Sequence, residues 1–406
     1  MGKVQIDHTG SGGGITLSSD GTNLLLGGTA IGGGGGGADL YAANESSPQA
    51  QPSATGTNAV AIGDDAVASG ERSFAAMLDS EASGTQSIAI GRNALSSGSL
   101  ATAIGYAAKS AGSQSVALGQ AYASGTESFA AVIDNNTSSY GATANNSVAI
   151  GYLAKATATH SFASGVFAEA GTNAVALGRD ATATGSGSIA VRGDATNTYT
   201  IAIGQAAVAS GGESMAIGNT LGQATTASAD RSIAIGVNTT ASGSYSQAYG
   251  YSGKAETTGK IVFSGRGDFS NVGAYQQGLF ILRSQTTDAT AEALTVDDST
   301  ASATNQINLP NNSAYAFSGT IVARQQAADG TACAAWKVEG LIRREANAGT
   351  TVLVNSATTV LDNTPNWGMA LSADTTNGCL KVQVTGAAST DIRWVATIHT
   401  SEVTYA

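Results

Sequence analysis

The chain has 406 residues, 42% of them hydrophobic and only 12% charged, and it carries a net charge of −11 without a basic cluster. That balance sets aside nucleic acid and anionic membrane surfaces as partners. Its 53 glycines would suit a disordered chain, yet Val, Ile and Thr recur at fixed spacing, which predicts order.

The N-terminal stretch "MGKVQIDHTGSGGG" holds no apolar run of signal-peptide length. No later stretch approaches the roughly 18 apolar residues of a membrane span. The expectation is a chain made and assembled in a cytoplasm, without membrane insertion. "ITLSSDGTNLLLGG" predicts a hairpin of two apolar strands around Asp20-Gly21. The run Gly32–Gly37 predicts a flexible joint. Residues 1–56 thus read as an attachment hairpin followed by a hinge.

From 57 to 265 one phrase repeats. Its opening residue falls at Val60, Phe74, Ile88, Thr102, Val116, Phe129, Val148, Phe162, Val175, Ile189, Ile201, Met215, Ile233, Gln247 and Ile261. Nine of these fourteen steps are fourteen residues long; the others are 13, 19, 13, 12 and 18. The two long steps contain 134–145 and 219–230, which read as polar loops. After the opener comes Ala, then a second apolar residue such as Ile62, Ile90, Leu118 or Ile150. In a strand the opener and second residue share one side and the Ala takes the other. Where the opener is Phe (Phe74, Phe129, Phe162), the second residue shrinks to Ala76, Ala131 or Ser164. Such a trade predicts one close-packed layer. The predicted core of the repeat is therefore Val60, Ile62, Phe74, Ile88, Ile90, Val116, Leu118, Phe129, Val148, Ile150 and Phe162.

A Gly follows most phrases, and a second Gly often comes about seven residues later. Glycine supplies positive φ at corners. A helix is disfavoured, because each interior Gly would cost about 1 kcal/mol. The spacing predicts an all-β solenoid, two short strands and two corners per coil, stacked at about 4.8 Å. The uniform Ala column suits either the coil interior or an interface between chains. One narrow roll leaves an apolar face uncovered, which points to a three-chain bundle.

Residues 266–309 read as a neck with short strands, including "GLFILRSQTTDATAEALTVDD" and "NQINLP". From 310 to 406, strands are predicted at "AYAFSGTIVARQ", "CAAWKVEGLIRRE", "TTVLVNSATTVLD", "WGMALSAD", "CLKVQVTG" and "IRWVATIHTSEV". Short strands at this spacing predict an antiparallel β-sandwich. All three tryptophans (Trp336, Trp367, Trp394) lie here and imply a conventional core. Cys333 and Cys379 read as two buried thiols in strands rather than a disulfide framework.

Chemical motifs are sparse. His8, His160 and His399 lie far apart and outside any metal-ligand pattern, although a trimer would bring three copies of His160 together. Asp64-Asp65 and Asp297-Asp298 sit in turn-like contexts and read as solvated corners. "GGTAIGGGGGG" lacks the helix that a phosphate cradle requires. Arg266-Gly267-Asp268 reads as a turn. No catalytic residue, metal or cofactor is expected. A receptor contact is expected on the C-terminal loops: Trp367 to stack on a sugar face, with Asn363, Asn366 and Asp374 as polar neighbours.

"SVAIG" or "SIAIG" followed by "A-x-A-x-G", at a period of fourteen, resembles the YadA-like head of trimeric autotransporter adhesins over residues 57 to 265. The resemblance implies a left-handed parallel β-roll assembled as a homotrimer. Secreted members of that family carry a signal peptide and a C-terminal anchor barrel; this chain shows neither. "LPNNSAYAFSGTIVARQ", "LSADTTNGCLKVQVTG" and "IRWVATIHTSEV" resemble the C-terminal domain of many tailed-phage fibre proteins. "ITLSSDGTNLLLGGTAIGG" is similar to segments of virion fibres.

Together these resemblances imply a structural phage tail fibre on the virion, assembled in the host cytoplasm. The N-terminal end would dock on a baseplate or tail protein. The C-terminal end would touch a host surface glycan or protein. A bacterial cell-surface trimeric adhesin is the alternative, and a fibre with glycan-cleaving activity a second one.

Overall fold

The computed structural model describes strands at residues 4–6, 15–19, 24–26 and 29–31, and the residues 51–218, 224–265, 271–326 and 332–405. These residues are all-β, and among them only the turn Ala348–Thr350 is helical. They fall into two compact units, Met1–Leu118 and Gly119–Ala406.

In the first unit, Val4–Ile6, Ile15–Ser19, Leu24–Leu26 and Thr29–Ile31 pair antiparallel in chain order. The middle two are the predicted hairpin. Its Asp20-Gly21 turn and the glycine run lie outside the described residues. Coils follow. Val60–Ile62, Phe74–Ala76, Ile88–Ile90, Thr102–Ile104 and Val116–Leu118 form one parallel sheet in a register of fourteen, so that Phe74 faces Ile88 and Ile88 faces Thr102. The second strand of each coil builds another parallel sheet, from Ser53–Ala54 to Lys109–Ser110.

The second unit repeats the plan from Phe129–Ala131 to Ile261–Ser264. Both segments expected as loops supply a second strand, Gly141–Ala142 in 134–145 and Thr225–Ala227 in 219–230. They interrupt the rhythm of the sequence without breaking the sheet.

The structure turns the predicted core inside out. The alanine after each opener points inward and is fully buried, as at Ala75, Ala89, Ala103, Ala149, Ala163 and Ala176. The opener and second residue point outward. Val60, Ile62, Phe74, Ile90, Val116, Leu118, Phe129, Val148, Ile150 and Phe162 are half-buried, and Ile88 is exposed. The reason is dimensional. The two strands of a coil are joined by corners of a few residues, so the gap between them is narrow and filled mostly by alanine and serine, with threonine at Thr200, Thr225 and Thr239. The residue before the opener, most often serine, also faces inward, and several of these hydroxyls bond back to the corner. Ser115, Ser128 and Ser188 donate to the carbonyls of Gly112, Gly125 and Gly185, each at 2.7 Å.

The corners also differ from expectation. Gly63 takes positive φ (115°), but the second glycine serves clearance instead. A Cβ on Gly70 would lie 2.1 Å from the carbonyl oxygen of Gly84 in the next coil. At this second corner the left-handed conformation goes to side-chain-bearing residues such as Arg72 (φ 54°) and Gln86 (φ 58°). Their N–H groups donate to the preceding coil, Arg72 to the Thr57 carbonyl at 2.8 Å and Gln86 to that of Glu71 at 2.7 Å. Each bond offsets the roughly 1–2 kcal/mol cost of that conformation.

At the end of the roll, Ile261–Ser264 pairs antiparallel with Tyr275–Thr286. That strand opens a five-stranded antiparallel sheet in the spatial order Tyr275–Thr286, Ile392–Thr404, Ser313–Gln325, Cys333–Arg344, Val352–Asp362. A smaller sheet of Ala291–Ala293, Ile307–Asn308, Gly368–Asp374 and Cys379–Thr385 belongs to the same core. Phe280, Leu282, Trp336, Trp394, Leu380 and Val382 are buried in that core. Phe280, Leu294, Ile307 and Leu309 belong to it as well, so 275–309 is part of the sandwich rather than a neck.

A buried polar group joins roll to sandwich. The last coil carries Lys260 where most earlier coils carry the inward serine. Its ammonium pairs with Glu402 at 2.7 Å, the two side chains being 5% and 0% exposed. Gln276 and Thr400 donate to the same carboxylate at 2.6 Å each. The Lys260 ammonium also lies 5.2 Å from the Phe280 ring centroid and 5.5 Å from that of Tyr315. Burial and the Glu402 charge push the Tyr315 hydroxyl well above its ordinary pKa. Glycine at 278 makes room, because a Cβ there would lie 2.3 Å from Glu402 Oε1.

Two outcomes follow for stability, measurable by denaturant unfolding. Ala176→Leu overpacks the coil and costs about 1–3 kcal/mol, whereas Val175→Leu on the outer side costs less than about 1.5 kcal/mol. Lys260→Met leaves Glu402 buried without its partner and costs about 3–5 kcal/mol, and Lys260→Met with Glu402→Met recovers most of that loss.

Candidate functional site

The inward alanine column forces the larger apolar side chains onto the outside of the first sheet. In the first unit Ile88 and Ile104 are 37% and 41% exposed. In the second, Ile189 and Ile203 reach 40% and 38%, and Phe263 reaches 52%. No charged residue stands at any opener or second position from Val60 to Phe263. The outer side of the second sheet is different in kind. It presents Glu81 and Lys109 in the first unit, and Lys155, Glu169, Asp194 and Lys254 in the second. Lys155 and Glu169, on successive coils, pair at 3.2 Å. Within each unit the outer side of the first sheet is thus uncharged and largely apolar, while that of the second mixes charged residues with apolar ones such as Val67, Leu95 and Val208. An apolar strip of this kind marks an interaction surface.

The residues expected to contact a receptor form no exposed site. Trp367 is 5% exposed and packs against Trp394 with ring centroids 5.7 Å apart. Its backbone is clamped by Asn363, which accepts from the Trp367 N–H at 2.9 Å and donates to its carbonyl at 2.8 Å. Asn366 is exposed in a left-handed turn (φ 57°). Asp374 lies at the other end of strand Gly368–Asp374. There it accepts from the N–H groups of Thr376 and Asn377 and from the Asn377 amide, at 2.9–3.0 Å. Burial raises its pKa, but these bonds outweigh burial and hold it below the ordinary aspartate value. The sequence showed an aromatic beside turn residues; it could not show that the aromatic turns inward and that the turn residues serve the backbone.

Other candidates are equally local. Asp297 accepts from Ser299 and Asn305 inside its own loop, which holds its pKa low against the effect of burial. Cys379 is buried, and burial, reinforced by the Asp374 charge and opposed by Arg344, pushes its thiol up to about 12. Cys333, expected to be buried, is exposed and unpaired. His160 is exposed at a corner and His399 on a strand. His8 and Arg266-Gly267-Asp268 lie outside the described residues. Among the described residues, no three His, Cys, Asp or Glu side chains gather as metal ligands.

The YadA head domain repeat (2 copies) matches residues 54–76, 79–94, 96–121, 142–168, 170–191, 195–220, 221–239 and 227–252. The matched segments coincide with the coils, and the break between 121 and 142 overlaps the first long step. No curated protein matches the chain. Over these segments the parallel solenoid, with its inward alanines, is similar to the YadA head domain repeat.

Proposed function

We propose that the protein is a homotrimeric tail fibre of a tailed bacteriophage, with the roll as a stiff spacer and the C-terminal sandwich at the host-facing end. The observation that carries the trimer is the outward apolar flank. A single coil has no room to bury Phe74, Ile150 or Leu177, and three copies in register would cover one another's strips at every step. Burial is worth about 25 cal/mol per Å² of apolar surface, so many small contacts add to a strong one. The compensation between Phe openers and small second residues fits this arrangement, since the space between copies is then as limited as an interior.

The phage setting draws on the fibre-like segments at both ends of the chain. In that setting the N-terminal strands dock on a baseplate or tail protein, and the sandwich meets a host glycan or protein. Three weak contacts on one rigid stem gain from avidity. A bacterial cell-surface trimeric adhesin is the second reading, favoured by the match of the coils to the YadA head repeat.

Sedimentation equilibrium should give three times the 40.0 kDa chain mass. Ile150→Asp with Leu177→Asp should dissociate the assembly; a monomeric unmodified chain would contradict the proposal. Immunogold labelling should decorate the tails of phage particles. Label confined to intact bacterial cells would favour the second reading instead.

A further inference from the structure

The coil that opens at Ile189 is two residues short. Neighbouring coils turn their first corner through Gly178-Arg179-Asp180 and Gly204-Gln205-Ala206, but this one passes directly from Val191 through Arg192 and Gly193 to Asp194. Arg192 takes the left-handed corner position (φ 56°), and its N–H donates to the Leu177 carbonyl at 2.9 Å. Gly193 takes the inward place of Ala181 and Ala207. An added Cβ there would sit 2.9 Å from the Ala207 carbonyl oxygen, because the missing residues draw the strands together.

The row of corners therefore has a notch, a hollow of about 410 Å³ lined by Arg179, Asp180, Arg192, Asp194, Gln205 and Ala206. Its two walls are corners two coils apart, roughly 10 Å at the sheet spacing. The stem of Arg192 crosses Gly178, where a Cβ would meet Arg192 Cγ at 2.7 Å, and its guanidinium makes one long contact, 3.4 Å to Gln205 Oε1. Arg179 is held by Asp180 at 3.2 Å. Asp194 is half-buried on the outer side of its strand.

We propose that this notch is a binding site for a carboxylate-bearing sugar of a surface polysaccharide. The Arg192 guanidinium offers paired donors that match a carboxylate. Asp194 and Gln205 offer acceptors and donors for ring hydroxyls, and the opening admits one ring between the walls. Arg192-Gly193-Asp194 also spells a peptide-ligand motif. Gly193 is buried in the coil and Asp194 is in the strand ladder, so the tripeptide is not displayed as a loop. The biological use of the site rests on the fibre reading, but its binding does not.

Isothermal titration of the full chain with oligogalacturonate and with neutral dextran oligosaccharides tests the site. The acidic sugar should bind and the neutral one should not. Arg192→Gln should weaken binding at least tenfold. Inserting Gly-Gln before Arg192, which restores the regular coil and fills the notch, should abolish it. Absence of oligogalacturonate binding, or binding unchanged in both variants, would overturn the site. Sedimentation of the same samples separates the two proposals. A trimer that ignores the acidic sugar removes the notch site alone, and a monomer that binds it removes the fibre reading alone.

Discussion

The gap between the two strands of one coil is the constraint from which the rest follows. It is filled mostly by alanine methyls and serine hydroxyls, and the larger apolar openers and second residues lie outside it. A conventional domain collects its bulky side chains in the middle. Here the middle is a narrow column of mostly Ala and Ser, and the larger openers and second residues lie outside it. The backbone bears the strain of tight corners, and bonds between successive coils offset it.

The sandwich obeys the opposite rule. Its two sheets are far enough apart to hold Trp336, Trp367 and Trp394 together, with Trp336 and Trp394 stacked at 5.9 Å. The transition between the two regimes occurs in the last coil. Val262 replaces the inward alanine and Lys260 replaces the inward serine, and the ammonium closes the roll against Glu402. A buried pair of this kind adds little net stability compared with apolar packing, but losing one partner is costly. It therefore fixes how the final coil meets the sheet that follows.

Much of this was legible in the sequence. The period of fourteen, the two strands per coil and the alternation of opener, Ala and second residue all appear in the sheets as expected. What periodicity could not supply was the direction of each side chain. Alternation says that Ala89 and Ile90 face opposite ways, but it does not say which way is in. The size of the interior decides that, and size is a property of the closed coil. The same gap explains the receptor residues. Trp367 beside a turn has one sequence signature whether it faces solvent or core. The notch at Arg192 did leave a signal, a step of twelve among fourteens, which acquires meaning once the corners are seen stacked in a row.

The claim that identical copies cover the outer apolar flank is tested most directly by distance. A single cysteine at Leu177, in a chain carrying Cys333→Ser and Cys379→Ser, can be spin-labelled and examined by double electron–electron resonance. The account predicts strong dipolar coupling between labels on neighbouring chains, at one short distance, with low accessibility to a water-soluble relaxant. Labels without coupling and fully accessible to the relaxant would contradict it.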